Sequence, residues 1–336
     1  MPSKFLVTAQ HKFLYSKEIY FMLQLAEKFP EQIEEALKIK IDFEFNDIEK
    51  IVLSGMGGSA ISGDILSNFS KIPFFVIRDY KILPFADEKT LFIAVSYSGD
   101  TEETLNCYKE AIKKNCKIVA ITSGGKLSKI AKNKILIPKG MQPRAAIAYL
   151  LFPLAKLLIN FLHDINFEDV LYTIKSNKER IKYVAKNIAD SIEGIPIIYG
   201  YGAMASIANR WRQQFNENAK MLAFNFSLPE CNHNELEAWE KMEKMGEITC
   251  IFLRNKNEDD RIKIRYEFLK EVYGKKAKVI EVFPFGKNLF SETISMLYIG
   301  DFVSLYIANN MGIDTEPVNL IKKLKERLNQ HSRSSS

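Results

Sequence analysis

Apolar positions along the chain fall into two textures. Up to about residue 44 they follow a helical spacing: Phe21, Leu23, Leu25 and Ala26 predict an amphipathic helix that Phe29-Pro30 interrupts, and Ile33 and Leu37 resume it at i and i+4. From Ile51 the texture changes. Short continuous apolar runs at 51–54, 74–77, 91–95, 117–121 and 134–137 alternate with helical stretches at 59–69, 101–115 and 127–131. Runs of that kind predict strands buried on both faces. Their alternation with helices predicts a parallel sheet flanked by helices. The stretch 145–162 is apolar enough to suggest a membrane span, but it carries Pro153, Lys156 and Asn160 and barely reaches spanning length, so a buried helix is expected.

The pattern then repeats. After a charged helical segment at 166–189, Ile51-Val52-Leu53-Ser54-Gly55-Met56-Gly57 is echoed by Pro196-Ile197-Ile198-Tyr199-Gly200-Tyr201-Gly202, and both copies run into a helix containing Ala and Ser. A strand, helix and strand follow at 248–253, 260–273 and 278–282, then helices at 294–310 and 320–328. Repetition of this kind is the signature of a duplicated unit. The organisation expected is an N-terminal helical segment at 1–44, a first α/β domain at 45–165, a linker helix at 166–189, a second α/β domain at 190–328 and a polar tail at 329–336.

Composition narrows the function classes. An apolar fraction of 47% with 26% charged residues is ordinary for a globular chain. The net charge of +6 is scattered, without the basic stripe and interleaved aromatics of a nucleic-acid binder, and it suits a small anionic substrate. The four cysteines, Cys107, Cys116, Cys231 and Cys250, stand singly, and Met1-Pro2-Ser3-Lys4-Phe5 lacks the charged-then-apolar pattern of a secretory signal. A soluble, cytoplasmic protein without a membrane partner is expected.

Two loops carry the chemistry. Gly55-Met56-Gly57-Gly58-Ser59-Ala60 follows a strand and opens a helix, so Gly57, Gly58 and Ser59 can bring a helix N-terminus against a phosphate. Read literally it is G-x-G-x-x-A, and Asp79 ends the next strand where a dinucleotide site keeps its ribose-binding acid, so a nicotinamide oxidoreductase competes at this point. The second loop, Ser96-Tyr97-Ser98-Gly99-Asp100-Thr101-Glu102-Glu103-Thr104, favours a compact phosphomonoester: Ser96, Ser98 and Thr101 crowd one turn beside Gly99 at a helix start. The competing explanation is a capping box with Asp100 at the N-cap and Glu103 three residues on. Capping accounts for the two acids and leaves the hydroxyls unexplained.

These loops, with Ile121-Thr122-Ser123-Gly124-Gly125, resemble a sugar isomerase (SIS) domain. The order Phe29-Pro30-Glu31-Gln32, Pro143-Arg144-Ala145, Asn216-Glu217-Asn218-Ala219-Lys220 and Pro229-Glu230-Cys231-Asn232-His233-Asn234-Glu235 resembles the bifunctional phosphoglucose/phosphomannose isomerases. The resemblance implies an α/β fold of two SIS-type domains, each a parallel sheet flanked by helices. It implies an aldose-ketose isomerase interconverting glucose 6-phosphate and mannose 6-phosphate with fructose 6-phosphate through a cis-enediolate. It places the base on Glu217, the cation beside the enediolate oxygen on Arg144, ring opening on His233 from the other chain of a homodimer, and further help near the ring oxygen on Lys325. No cofactor is expected. No metal is expected either, since the four histidines form no ligand pair and Cys231 with His233 gives two candidate ligands.

Residue reasoning qualifies these assignments. Without the motif, Glu217 would be expected to pair with Lys220 or Arg210 on its helix. Arg144 lies before a helix, where a cation is disfavoured unless an anion answers it. The Asp314-Thr315-Glu316-Pro317 stretch departs from the family's usual Asp-Pro, so the register of Lys325 could slip. In the second domain, Leu253-Arg254-Asn255-Lys256-Asn257-Glu258 stands in place of a phosphate loop, and an insertion before 248 carries the Glu and His. A regulatory sugar-phosphate sensor remains the alternative: it would use the same hydroxyl loop and need no Glu217.

Overall fold

The computed structural model describes residues 17–241 and 247–334. Two helices open it, α1 (Lys17–Glu27) and α2 (Phe29–Lys38), with Pro30 in the first turn of α2, where a missing N–H breaks no helical bond. Helical structure stops at Lys38, short of the expected residue 44, and the reading before Lys17 lies outside the described residues.

The first sheet follows as β1 (Lys50–Ser54), α3 (Gly58–Ser67), β2 (Phe74–Ile77), β3 (Thr90–Val95), α4 (Glu102–Lys113), β4 (Lys117–Thr122), α5 (Gly125–Ile130) and β5 (Lys134–Leu136). Its five strands are parallel in the order β2-β1-β3-β4-β5. β3 is buried at every position, as its apolar run predicts. β2 and β5 differ from that expectation. They are the sheet's edges, and Phe75 and Leu136 are exposed.

α6 (Ile147–Leu157) fills the predicted buried stretch, wholly enclosed from Ile147 to Ala155, and a 3-10 turn (Ile159–Phe161) ends it. A helix apolar on all sides belongs in an interior. No described helix is long and apolar enough to cross a membrane. α7 (Phe167–Ser191) is N-capped by Asn166, whose side-chain oxygen accepts from the Asp169 N–H at 2.9 Å.

The second sheet comprises β6 (Ile195–Tyr201), α8 (Ala203–Glu217), β7 (Phe224–Leu228), α9 (Glu235–Ala238), β8 (Ile248–Leu253), α10 (Asp260–Tyr273) and β9 (Lys278–Val282), again parallel, in the order β7-β6-β8-β9. β7 occupies part of the segment expected as an insertion. It pairs with β6 as β2 pairs with β1, so the duplication extends further than the sequence echo. The echo extends to the backbone at its last glycine: Gly57 (φ 51°, ψ −126°) and Gly202 (φ 55°, ψ −126°) stand at the N-caps of α3 and α8.

α11 (Leu289–Asn310) is buried from Phe290 to Ala308 and packs against α7 and α8. One apolar core runs from α2 and α6 through α7 and α8 to α11, joining both sheets. α12 (Asn319–Ser334) closes the chain and continues through most of the expected polar tail, with Leu320, Ile321, Leu324 and Leu328 exposed.

Candidate functional site

In an open parallel sheet, ligands bind beyond the strand C-termini where the strand order reverses. In the first sheet that point lies between β1 and β3, and the loops leaving those strands are the two that the sequence singles out. Gly55 packs so tightly here that a Cβ would lie 3.0 Å from the Val95 carbonyl, and a Cβ on Gly58 would lie 3.5 Å from the Pro143 carbonyl and 3.8 Å from the Arg144 Cα. The glycine loop therefore bridges β3 and the Pro143–Ala145 turn. The Tyr97 hydroxyl accepts from the Met141 N–H at 2.9 Å and ties the hydroxyl loop to the segment that leads into this turn.

The hydroxyl loop is shaped from within. The Ser96 and Thr101 hydroxyls lie 2.8 Å apart, and Ser96 Oγ also accepts from the Gly99 N–H at 3.0 Å. Ser96 is buried and Ser98 exposed, while Ser59 is buried in the first turn of α3. Gly99 is left-handed (φ +73°), and a Cβ there would sit 1.8 Å from the Gly124 carbonyl oxygen. The competing capping box is absent. Thr101, not Asp100, occupies the α4 N-cap and makes no side-chain cap bond, and Asp100 Oδ1 instead accepts from the Lys126 N–H at 3.0 Å. The first N–H groups of α4 thus stay open beside Ser98 and Thr101, which is the requirement for holding an anion.

Arg144 stands in the 3-10 turn (Pro143–Ala145) before α6 and is 3% exposed. Its Nε donates to Asn218 Oδ1 at 2.7 Å, its Nη2 donates to the Thr315 carbonyl, and its Nη1 lies 3.6 Å from Glu217 Oε2. Burial pulls the guanidinium below its ordinary pKa and nearby Arg210 adds to that, while Glu217 and Glu316 oppose it. Glu217 ends α8 half-buried, and its carboxylate pairs with neither residue expected on its own helix. Lys220 donates to the Glu217 backbone carbonyl, and Arg210 is bound to Asp301. Burial and Arg144 lower the Lys220 pKa, against Asp314 and Glu217.

His233 lies on a 3-10 turn (Glu230–His233) after β7 and is exposed. Among the described residues no hydrogen bond or ion pair joins it to Glu217 or Arg144. Its loop is fastened on either side. Arg265 donates to Asn232 Oδ1 at 3.0 Å, and the Glu235 carboxylate accepts from Tyr199, Tyr273 and Trp239 at 2.7, 2.6 and 2.6 Å. Lys325 is exposed on α12. At the switch point of the second sheet, Glu258 accepts from Arg254 Nη2 at 2.7 Å and from the Asn255 N–H at 2.8 Å, so the chain's own carboxylate takes the donors there.

The sequence reading missed the groups behind Arg144, namely Arg210, Gln214, Asp301 and Ser304. A signal was present: Asp301 and Ser304 interrupt an otherwise apolar run in α11.

A family model described as "SIS domain" matches residues 44–159, and one described as "Bacterial phospho-glucose isomerase C-terminal SIS domain" matches residues 181–328. The bifunctional phosphoglucose/phosphomannose isomerase of Thermoplasma volcanium is 37% identical over 300 residues, covering 88% of this chain and 97% of that protein. The D-glucosamine-6-phosphate 4-epimerase of Sulfolobus acidocaldarius is 33% identical over 288 residues, covering 83% and 89%. Among solved structures, glucosamine-6-phosphate deaminase from Thermotoga maritima shares the fold, with a TM-score of 0.67 at 17% identity over 90% of this chain and 97% of that one. Two SIS-type sheets in tandem, with extended similarity to relatives of matching length, show that the chain belongs to the bifunctional phosphoglucose/phosphomannose isomerase family.

Proposed function

We propose that this protein interconverts glucose 6-phosphate and mannose 6-phosphate with fructose 6-phosphate. The observation that carries the reading is the buried Arg144 guanidinium facing the Glu217 carboxylate at 3.6 Å, beside a hydroxyl-lined loop at the first sheet's switch point. The phosphate is held by Ser98, Thr101 and the open N–H groups of α4, with Gly57, Gly58 and Ser59 closing one side and Ser96 fixing the loop. Moving a carbonyl between C1 and C2 removes the proton at C2 of the open-chain aldose and returns a proton to C1. One carboxylate beside the plane of a cis-enediolate serves both steps, and Glu217 fills that role. Negative charge then develops on the oxygens, where a fixed buried cation acts without reorganisation, and Arg144 supplies it. A planar enediolate has lost the C2 configuration, and rotation about the C2–C3 bond presents either face of C2 to Glu217, so reprotonation gives either aldose.

His233 and Lys325 open the sugar ring in this reading. His233 is exposed and unattached to Glu217, which suits contribution from a second copy in a homodimer. Four unpaired thiols suit a reducing, cytoplasmic setting. Coupled assays that follow fructose 6-phosphate from each aldose test the proposal, with D-glucosamine 6-phosphate as a further arm. Turnover of both aldoses is expected. A folded protein that binds the sugar phosphates and turns over neither would favour a regulatory sensor.

A further inference from the structure

The polar groups behind Arg144 form a path through the interior. Arg210 and Gln214 lie one turn apart on α8, and both donate to Asp301 on α11. Asp301 Oδ1 accepts from Arg210 Nε at 3.2 Å and Gln214 Nε2 at 2.8 Å, and Oδ2 accepts from Arg210 Nη2 at 2.8 Å. The same Arg210 Nη2 donates to the Arg144 backbone carbonyl at 3.0 Å. A second line runs beside it. The Ser304 hydroxyl donates to the Asp301 carbonyl at 2.8 Å and accepts from Asn218 Nδ2 at 2.9 Å, and Asn218 Oδ1 accepts from the Arg144 side chain. Arg210, Gln214, Asn218 and Ser304 are each at most 3% exposed, and Asp301 is 9% exposed. The first line starts at the Asp301 carboxylate and the second at its backbone carbonyl, and they end on the main chain and the guanidinium of Arg144.

We infer that Asp301 is a positioning residue whose carboxylate sets Arg144 of the first domain against Glu217 of the second by holding Arg210 and Gln214 on α8. Arg144 stands in the turn before α6 and Glu217 at the end of α8, in different domains, so nothing in either domain alone fixes their separation. Arg210 would be an uncompensated buried cation close to Arg144 without Asp301. With it, Arg210 becomes a rigid fork that grips a carboxylate on one side and the Arg144 turn on the other. Among the described residues no hydrogen bond joins Ser98 or Thr101 to Asp301, Arg210, Gln214 or Ser304, so loss of the Asp301 carboxylate should disturb the reacting geometry and spare phosphate binding.

The inference rests on the proposed isomerase reading, and the test separates the two. Asp301→Asn keeps shape and loses charge. It is expected to lower kcat by roughly 10- to 100-fold, the scale of a 1 Å misplacement, with KM for glucose 6-phosphate within about twofold of wild type. In an Arg144→Ala background the same substitution should cost little more, because the two residues act as one unit. A folded Asp301→Asn enzyme with wild-type kcat, or with equal losses in both backgrounds, overturns the inference while wild-type turnover and an inactive Glu217→Gln variant leave the isomerase reading standing. No turnover by the wild-type protein overturns both. Should Asp301→Asn not fold, Arg210→Lys carries the test: it keeps a cation beside Asp301 and gives up the reach to the Arg144 carbonyl, and an unchanged kcat there likewise overturns the inference.

Discussion

Arg144 shows how far a single residue could be read from its neighbours. Its place before a helix already demanded an anionic partner; that it is buried, and that the partner is Glu217 at the end of α8 in the other domain, came from the fold. On the proposed reading, Glu217→Gln keeps size and hydrogen bonding and cannot accept a proton. It should lower kcat by about 10²–10⁴-fold, the contribution of a general base, with substrate affinity nearly unchanged. Ser98→Ala should do the converse and weaken phosphate binding by about 1–3 kcal/mol, as for a hydrogen bond to a charged group. Steady-state kinetics with isothermal titration separates the two, and a fully active Glu217→Gln enzyme would remove the base assignment. The thiols give a pH-dependence. Burial pushes Cys231 and Cys250 up to about 12 and Cys116 up to about 11, and raises Cys107 as well. Burial, with Glu235, raises Tyr199 and Tyr273 in the same direction. The native chain keeps protons that the unfolded chain releases above about pH 8.5. The stability these groups lend is therefore full below that pH and is lost as pH climbs toward 11–12. Urea midpoints should fall steadily from pH 8 to 10.5, and a flat series would contradict the burial.

At the scale of elements, the central strands and the buried α6 were legible because continuous apolar runs have few other stable solutions. The edges were less so: β2 and β5 have the same composition as central strands, and position in the sheet, not sequence, exposes Phe75 and Leu136. β7 is not a continuous apolar run; Phe224-Asn225-Phe226-Ser227-Leu228 alternates, which is the signal of a half-covered edge strand rather than of a central one. The capping box that competed with the phosphate reading at Asp100 does not form, for a tertiary reason, since α5 takes that carboxylate through the Lys126 N–H. The α8–α11 contact makes a sharper prediction. A Cβ on Gly300 would lie 2.1 Å from Trp211 Nε1, so the glycine lets the two helices close around that ring. Alanine is the better helix former by about 1 kcal/mol, yet Gly300→Ala should destabilise the protein by about 1–3 kcal/mol through overpacking. Thermal unfolding reads the sign directly, and a raised melting temperature would mean that the helices part without cost.

For the molecule as a whole, the proposed sharing of a site between two chains can be tested by complementation. Glu217→Gln chains and His233→Ala chains are each expected to be inactive. If the two residues of one site come from different chains, a mixed dimer has one site with both defects and one with neither. Random exchange should then restore activity to about a quarter of wild type, because half the dimers are mixed and each keeps one intact site. No recovery after verified exchange would place both residues on one chain. The sequence by itself determined the parallel sheets, their duplication and the glycine turns ahead of α3 and α4, because strand burial, left-handed glycines and helix N-termini are local properties that local residue choice dictates. Membership of a family could be read from motifs in order for the same reason. What only the tertiary structure decided is how Arg144 and Glu217 meet. Their juxtaposition depends on two sheets sharing one core and on Asp301 and Ser304 reaching across from α11. Contacts between residues so distant along the chain leave no periodic trace in the sequence, since what fixes them is the packing of whole helices against one another.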